Sequence, residues 1–198
     1  MGLDLDYADG QTPLDEDEKE GLCIPTIATR GELDEYEQHN IEQALQWIFG
    51  SSFTAEKIFT ESFLRDVHRK MYGDVWKWAG EFRTSGKNIG VDREQIAPQL
   101  RALLGDAKYW VANNTYPPVE IAVRFNHRLV SIHCFPNGNG RHSRLMADIM
   151  IEKIYKQPVF SWGAANLSSE GDARAAYLKA VKAADQGDYN LLLAFARS

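Results

Sequence analysis

A mainly α-helical fold is predicted by three observations. Apolar residues recur at three- and four-residue spacing through most of the chain, helix-breaking Gly, Ser and Pro clusters fall between those stretches, and β-capable pieces are short and confined to one segment. No internal repeat and no composition break follows residue 25, so the 198 residues read as an acidic N-terminal arm over 1–25 and a single domain over 26–198. In the first twenty residues eight acids (Asp4, Asp6, Asp9, Asp15, Glu16, Asp17, Glu18 and Glu20) oppose Lys19 alone; against a net charge of −6 this leaves the remainder near +1. Such a leader, punctuated by Gly and Pro, is expected to be a solvated, flexible arm, with docking against a partner as the alternative.

The elements follow in order. Residues 34–49 carry Ile41, Leu45 and Ile48 on one helix face, and Gly50-Ser51-Ser52 stops that helix. Residues 61–72 place Leu64, Val67, His68 and Met71 on one side, and residues 95–111 do the same with Ile96, Leu100, Leu103, Leu104 and Ala107. Between these two helices GEFRTSGKNIGVD (80–92) holds three glycines and short β-capable pieces around Phe82 and Ile89, which predicts a small β-hairpin flap. Pro117-Pro118 suits a helix start, and Ile121, Phe125 and Leu129 predict a centrally buried helix over 117–132. Helices over 143–156, 172–184 and 189–196 complete the pattern; Tyr177 shares helical spacing with Ala173, Ala180 and Ala184 and reads as core.

Several functions are excluded by composition. No stretch approaches the roughly 18 apolar residues of a membrane span, and the N-terminus lacks the basic and apolar regions of a secretory signal, so a cytoplasmic protein is expected. Cys23 and Cys134 make neither a disulfide framework nor a zinc-ligand spacing. A body so close to neutral has no basic field for direct nucleic-acid binding.

The chemically informative stretch is HCFPNGNGRHSR, residues 133–144, which joins two predicted helices through Gly138, Asn139 and Gly140. Small residues let successive N–H groups point inward as an anion nest, and the next helix adds its own unpaired donors. Arg141 and Arg144 lie i, i+3 beside that nest, and arginine suits bidentate phosphate binding. The natural ligand is a polyphosphate such as a nucleoside triphosphate. His133 borders the nest, where an imidazole can take a proton from an attacking hydroxyl. His39, His68, His127 and His142 read instead as hydrogen-bonded core or helix-end residues. Asn137 offers an amide oxygen to a phosphate-bound Mg²⁺, and Phe135 and Pro136 anchor the loop.

His-x-Phe-x-x-Gly-Asn-Gly-Arg-x-x-Arg, matched over 133–144, resembles the signature of the Fic family (filamentation induced by cAMP), whose members transfer AMP from ATP to target side chains. The resemblance extends to HRKMYGDVWKWAGEFRTSGKNIGVD (68–92), which looks like the segment leading into the family's substrate flap, and runs from about residue 34 to the C-terminus. The leader followed by TPLDEDEKEGLCIPTIATRGELDEYEQ looks more narrowly like the subgroup called mobile mystery protein B. The resemblance implies a Fic-type helical bundle in which His133 deprotonates the target's Ser, Thr or Tyr hydroxyl for attack on the α-phosphate of ATP. It implies that Gly138, Asn139 and Gly140 form the anion hole, that Arg141 holds the β-phosphate side, and that Arg144 meets the γ-phosphate. Lys87, Asn88 and Ile89 fall where the family aligns a target segment by strand-type pairing, and Asn166 and Tyr177 fall where it often contacts the nucleoside.

Two departures matter. Many relatives have Asp or Glu where this chain has Asn137, and a neutral amide holds Mg²⁺ or Mn²⁺ less strongly than a carboxylate. The family's inhibitory Ser/Thr-x-x-x-Glu-Gly/Asn motif has no clean match: Glu20-Gly21 and Glu170-Gly171 share only its ending. An antitoxin-like inhibitor in trans, as in a toxin–antitoxin pair, is therefore expected, with the Glu170 region as the internal alternative. Transfer of another nucleotide or of a phosphoryl group, and a catalytically weak nucleotide-binding module, stand as alternatives to AMP transfer.

Overall fold

A computed structural model describes residues 13–163 and 170–198, with side chains of the last stretch described from residue 174. Among the described residues the helices are α1 (Glu16–Lys19), α2 (Arg30–Gly50), α3 (Ala55–Ile58), α4 (Glu61–Tyr72), α5 (Arg93–Asn113), α6 (Pro118–Ile132), α7 (Asn139–Lys153), α8 (Glu170–Asp185) and α9 (Asn190–Ala196). Local chemistry sets the starts. Thr29 and Glu32 form a reciprocal capping box at α2, Thr60 caps α4 by accepting from Phe63 N–H at 3.2 Å, and Pro118 opens α6 where no N–H is required.

The antiparallel pair α6–α7 is the centre of the bundle. α5 packs on α6, α9 closes α6 from another side, α2 lies on α4, and α4 leans on α7. Phe125, Leu129, Met146, Ile149 and Met150 fill the seam, all buried. Tyr177, Ala180 and Ala184 pack α8 into the core as their spacing predicts; Ala173 is outside the described side chains. The helix read from residue 143 begins four residues earlier, because Gly138 in the left-handed region (φ +76°) lets the chain enter α7 at Asn139. In α2 the buried stripe is Leu33, Glu37, Asn40, Ala44 and Ile48, with Ile41 and Leu45 only half-buried.

Two expectations are revised. No strand forms among the described residues, and 80–92 is an open loop rather than a β-hairpin. Its limbs bond to the chain around His133 instead of to each other: Arg83 N–H donates to the Cys134 carbonyl (2.9 Å) and Val91 N–H to the Ile132 carbonyl (3.4 Å). The buried Arg83 guanidinium fills the space between, donating to the carbonyls of His133 (2.6 Å), Ser85 (2.9 Å) and Val91. A side chain thus replaces the cross-strand ladder.

The second concerns the leader. Residues 1–12 lie outside the described residues, whereas 13–25 form a strap held against the flap. Lys77 N–H donates to the Gly21 carbonyl and Cys23 N–H to the Val75 carbonyl, both at 2.8 Å, and the Trp78 indole donates to the Glu18 carbonyl at 3.0 Å. Leu14 is buried in the process. Composition predicts solvation here because the partners of these acids lie some sixty to seventy residues further on.

Replacing Arg83 with Met removes charge-assisted bonds to buried carbonyls, each worth about 1.5–3 kcal/mol. Urea unfolding is expected to show a loss of at least about 3 kcal/mol, with faster amide exchange at Arg83 and Val91; an unchanged midpoint overturns this account.

Candidate active site

His133 ends α6 in the left-handed region at φ +57°, uncommon for a residue with a β-carbon, and six residues later, at Asn139, α7 begins. That short return is held by Asn139. Its amide oxygen accepts from Phe135 N–H (2.9 Å) and its amide nitrogen donates to the Phe135 carbonyl (2.8 Å), closing the loop on itself. Phe135 is buried, stacked on His68 with ring centroids 3.8 Å apart. Gly80 N–H donates to His68 Nδ1 (3.0 Å), so Nε2 carries the proton and donates to the Asn137 carbonyl (3.1 Å). Burial, and then the neighbouring His142, hold the His68 imidazole well below its usual range, which keeps this bridge neutral. His142 is likewise buried, donating from Nε2 to the Leu64 carbonyl (3.0 Å). The core roles read for His68 and His142 agree with these contacts.

Gly138 is the N-cap of α7, and Asn139, Gly140, Arg141 and Arg144 lie in its first two turns. Helix geometry leaves the N–H groups of its first turn without intrahelical acceptors, and no acidic side chain lies in that turn to oppose an anion. Gly138 admits no side chain: a β-carbon there would lie 2.6 Å from the Tyr72 ring. Asn139 enters this site through its backbone, since its side chain braces the loop.

The two arginines part company. Arg141 leans toward α2 and α4, paired with Glu37 at 2.7 Å and lying over the Tyr72 ring at 5.1 Å. Arg144 lies over the Tyr177 ring of α8 at 4.9 Å. Glu37 is buried, and its other oxygen accepts from the Trp76 indole at 2.8 Å.

His133 is 4% exposed. Burial, followed by the Arg83 cation, pushes its imidazole down to about 4, against an opposing interaction with the Val130 carbonyl. At neutral pH it is therefore uncharged, the form that accepts a proton from a hydroxyl. The flap closes on it at Gly90 (φ +95°), where a β-carbon would lie 2.5 Å from His133 Cβ. Lys87 is nearly covered, Ile89 is exposed, and the Lys87 charge reaches His133. Asn88 shares this loop.

Asn137 does not build a metal centre with its neighbours. Its amide oxygen accepts from Gly138 N–H at 2.6 Å, and among the described residues no cluster of three His, Cys, Asp or Glu side chains is disposed to hold a metal ion. The donor set fits an ion that arrives on phosphate oxygens, not one caged by protein. Asn166 lies outside the described residues, as does the Glu170 side chain; Glu20 is exposed.

Known proteins resemble this chain in sequence and in fold. Residues 58–151 match the profile of the Fic/DOC family. Over these residues the chain is similar to the Fic/DOC family. Protein adenylyltransferase Fic of Aedes aegypti is 25% identical over 167 residues, covering 80% of this chain and 32% of that protein, and its Drosophila mojavensis namesake is 26% identical with the same coverage. The chain thus spans about a third of the length of these curated relatives. Among solved structures, Fic-1 of C. elegans (residues 134–508) superposes with a TM-score of 0.67 at 23% identity, over 89% of this chain and 51% of that one. BepC of Bartonella tribocorum, solved with bound AMPPNP, gives 0.65 at 17% identity over 90% and 94%.

Glu37 lies outside the matched Fic/DOC segment, while Tyr72, Arg83 and Gly90 lie within it, and none of the four belongs to the 133–144 motif. The signal for Glu37 was available: Leu33, Ala44 and Ile48 share a helical stripe with it, so an acid and an amide sit on an apolar face. Replacing Glu37 with Ala leaves the half-buried Arg141 without its carboxylate, which is expected to cost about 1.5–3 kcal/mol in denaturant unfolding, with Glu37→Gln milder.

Acidification provides a second check. His68, His133 and His142 are depressed in the fold, the last two to about 4, so the unfolded chain binds more protons and stability falls as pH drops from about 6.5 toward 4. Asp148, pushed up to about 7 by burial, opposes this over the same range. Three groups against one leave a net slope of up to about two protons in urea midpoints across that window.

Proposed function

We propose that this chain is a protein adenylyltransferase, moving AMP from ATP to a hydroxyl side chain of a target protein. The single observation that carries the reading is the uncharged, buried His133 placed one short, braced loop before the N-terminus of α7, with Arg141 and Arg144 on that helix. The adenylyltransferase names of the relatives support the same chemistry.

In this reaction ATP lies with its phosphates against the first turn of α7. His133 accepts the proton of a Ser, Thr or Tyr hydroxyl as the oxygen attacks the α-phosphorus. The new O–P bond forms as the bond to the β-phosphate bridge breaks, and pyrophosphate leaves with that electron pair. The N–H groups of Gly138, Asn139 and Gly140 meet the charge that grows on the α-phosphate oxygens. Arg141 serves the β-phosphate side and Arg144 the γ-phosphate. The charge of the bound triphosphate opposes that of Arg83 and raises His133 back toward a useful basicity. Asn137 is the residue that would hold a phosphate-bound Mg²⁺ or Mn²⁺, which would supply charge neutralisation there.

Lys87, Asn88 and Ile89 align the target segment. An antitoxin-like partner supplies the inhibitory carboxylate, in keeping with a toxin–antitoxin pairing and the leader's likeness to mobile mystery protein B. Among the described residues no helix is long and apolar enough to cross a membrane, which suits a cytoplasmic enzyme. The engaged Asn137 amide favours a second reading, a nucleotide-binding module with weak turnover.

ATP labelled at the α- or the γ-phosphate, incubated with the protein and candidate targets, separates these readings. Label from the α position that falls at least about 100-fold in His133→Ala is the expected result. Label from γ alone makes the protein a kinase, and nucleotide binding without transfer at excess Mg²⁺ makes it a binding module.

A further inference from the structure

The geometry points to Lys87 as an anion-reading subsite of the flap, for which the chain's own strap stands in for an acidic target segment. This inference rests on the target-aligning role given to the flap above. Lys87 is a loop lysine, yet its side chain is 3% exposed. Its ammonium donates to the Pro13 carbonyl (3.1 Å), to Asp15 Oδ2 (3.0 Å) and to Glu18 Oε2 (2.5 Å). Ser85, two residues before it, donates to the other Glu18 oxygen at 3.1 Å. Two carboxylates three residues apart thus take all three ammonium hydrogens and one hydroxyl of the flap together with a single backbone carbonyl.

Position joins this cluster to the chemistry. Arg83 holds the Ser85 carbonyl and the His133 carbonyl with one guanidinium, and the Lys87 charge is felt at the His133 ring. A peptide lying along the flap with its hydroxyl at His133 therefore has Lys87 and Ser85 beside it. Those groups are bound now by an extended-to-helical stretch of this same chain. The strap is also anchored further on, where the backbones of Gly21 and Cys23 bond to Lys77 and Val75, so displacing its acidic end breaks the Trp78–Glu18 bond and uncovers Leu14 while those two pairings stay. The target class that fits is a hydroxyl-bearing segment with two Asp or Glu residues spaced i, i+3, which replaces Asp15 and Glu18 on Lys87 carboxylate for carboxylate.

Fluorescence polarisation on the full chain, without nucleotide, tests this. The probes are a fluorescein-labelled serine peptide carrying two glutamates spaced i, i+3 and its glutamine counterpart. Neutralising the strap with Asp15→Asn plus Glu18→Gln is expected to tighten the glutamate peptide about 10-fold or more and to leave the glutamine peptide unchanged. Adding Lys87→Met to that background removes the gain, and adding Lys87→Arg retains it, which separates charge reading from misfolding. Equal binding of both peptides by the strap variant, or a preference that survives Lys87→Met, overturns the inference. The outcome is independent of AMP transfer: an enzyme that labels targets from α-phosphate but binds both peptides alike loses only this inference, and a chain that prefers the acidic peptide but transfers no AMP loses only the adenylyl reading.

Discussion

Everything at the site depends on ending one helix and starting the next across only six residues, 133–138, with an imidazole among them. A turn so short requires left-handed backbone at both ends, at His133 and at Gly138. Glycine accepts this without strain, but histidine carries a cost of roughly 1 kcal/mol or more. The two bonds of the Asn139 amide to Phe135, and the stacking of Phe135 on a neutral His68, over-determine the loop and hold His133 in that conformation.

The surrounding cations show three ways of burying positive charge. Among the described residues no carboxylate pairs directly with Arg83, which is solvated by backbone carbonyls and acts as a structural rivet between flap and loop. Arg141 has a buried carboxylate and an aromatic face, so its guanidinium is fixed in direction before any ligand arrives. Arg144 is half-buried against an aromatic face. A polyphosphate meeting both would find Arg141 already fixed in direction, and that preorganisation lowers the entropy that binding must overcome.

How much of this was legible varies with the range of the interaction. The helices of α4 and α6 announce themselves because their apolar stripes are unbroken, and the loop at 133–144 is legible because its members are contiguous. The buried face of α2 is obscured, since Glu37 and Asn40 occupy it and their partners, Arg141, Trp76 and Asp74, are distant in sequence. Around Phe82 and Ile89 the residues suit strands, and only tertiary structure reveals that Arg83 takes over the pairing. Charge density misleads at the leader for the same reason: acids that look destined for solvent find Lys87 about seventy residues away.

The strap also has a consequence for the order of assembly. Its partners, Val75, Lys77, Ser85 and Lys87, are synthesised well after it, and the flap that carries two of them is itself pinned to residues 132–134. The α6–loop–α7 hairpin closes over short sequence distances and can form early, whereas the strap must wait until that hairpin exists to hold the flap in place. During that interval its density of carboxylates keeps the segment hydrated and free of non-native hydrophobic contacts, so the composition that suits it to clasp a lysine at the end also keeps it harmless on the ribosome.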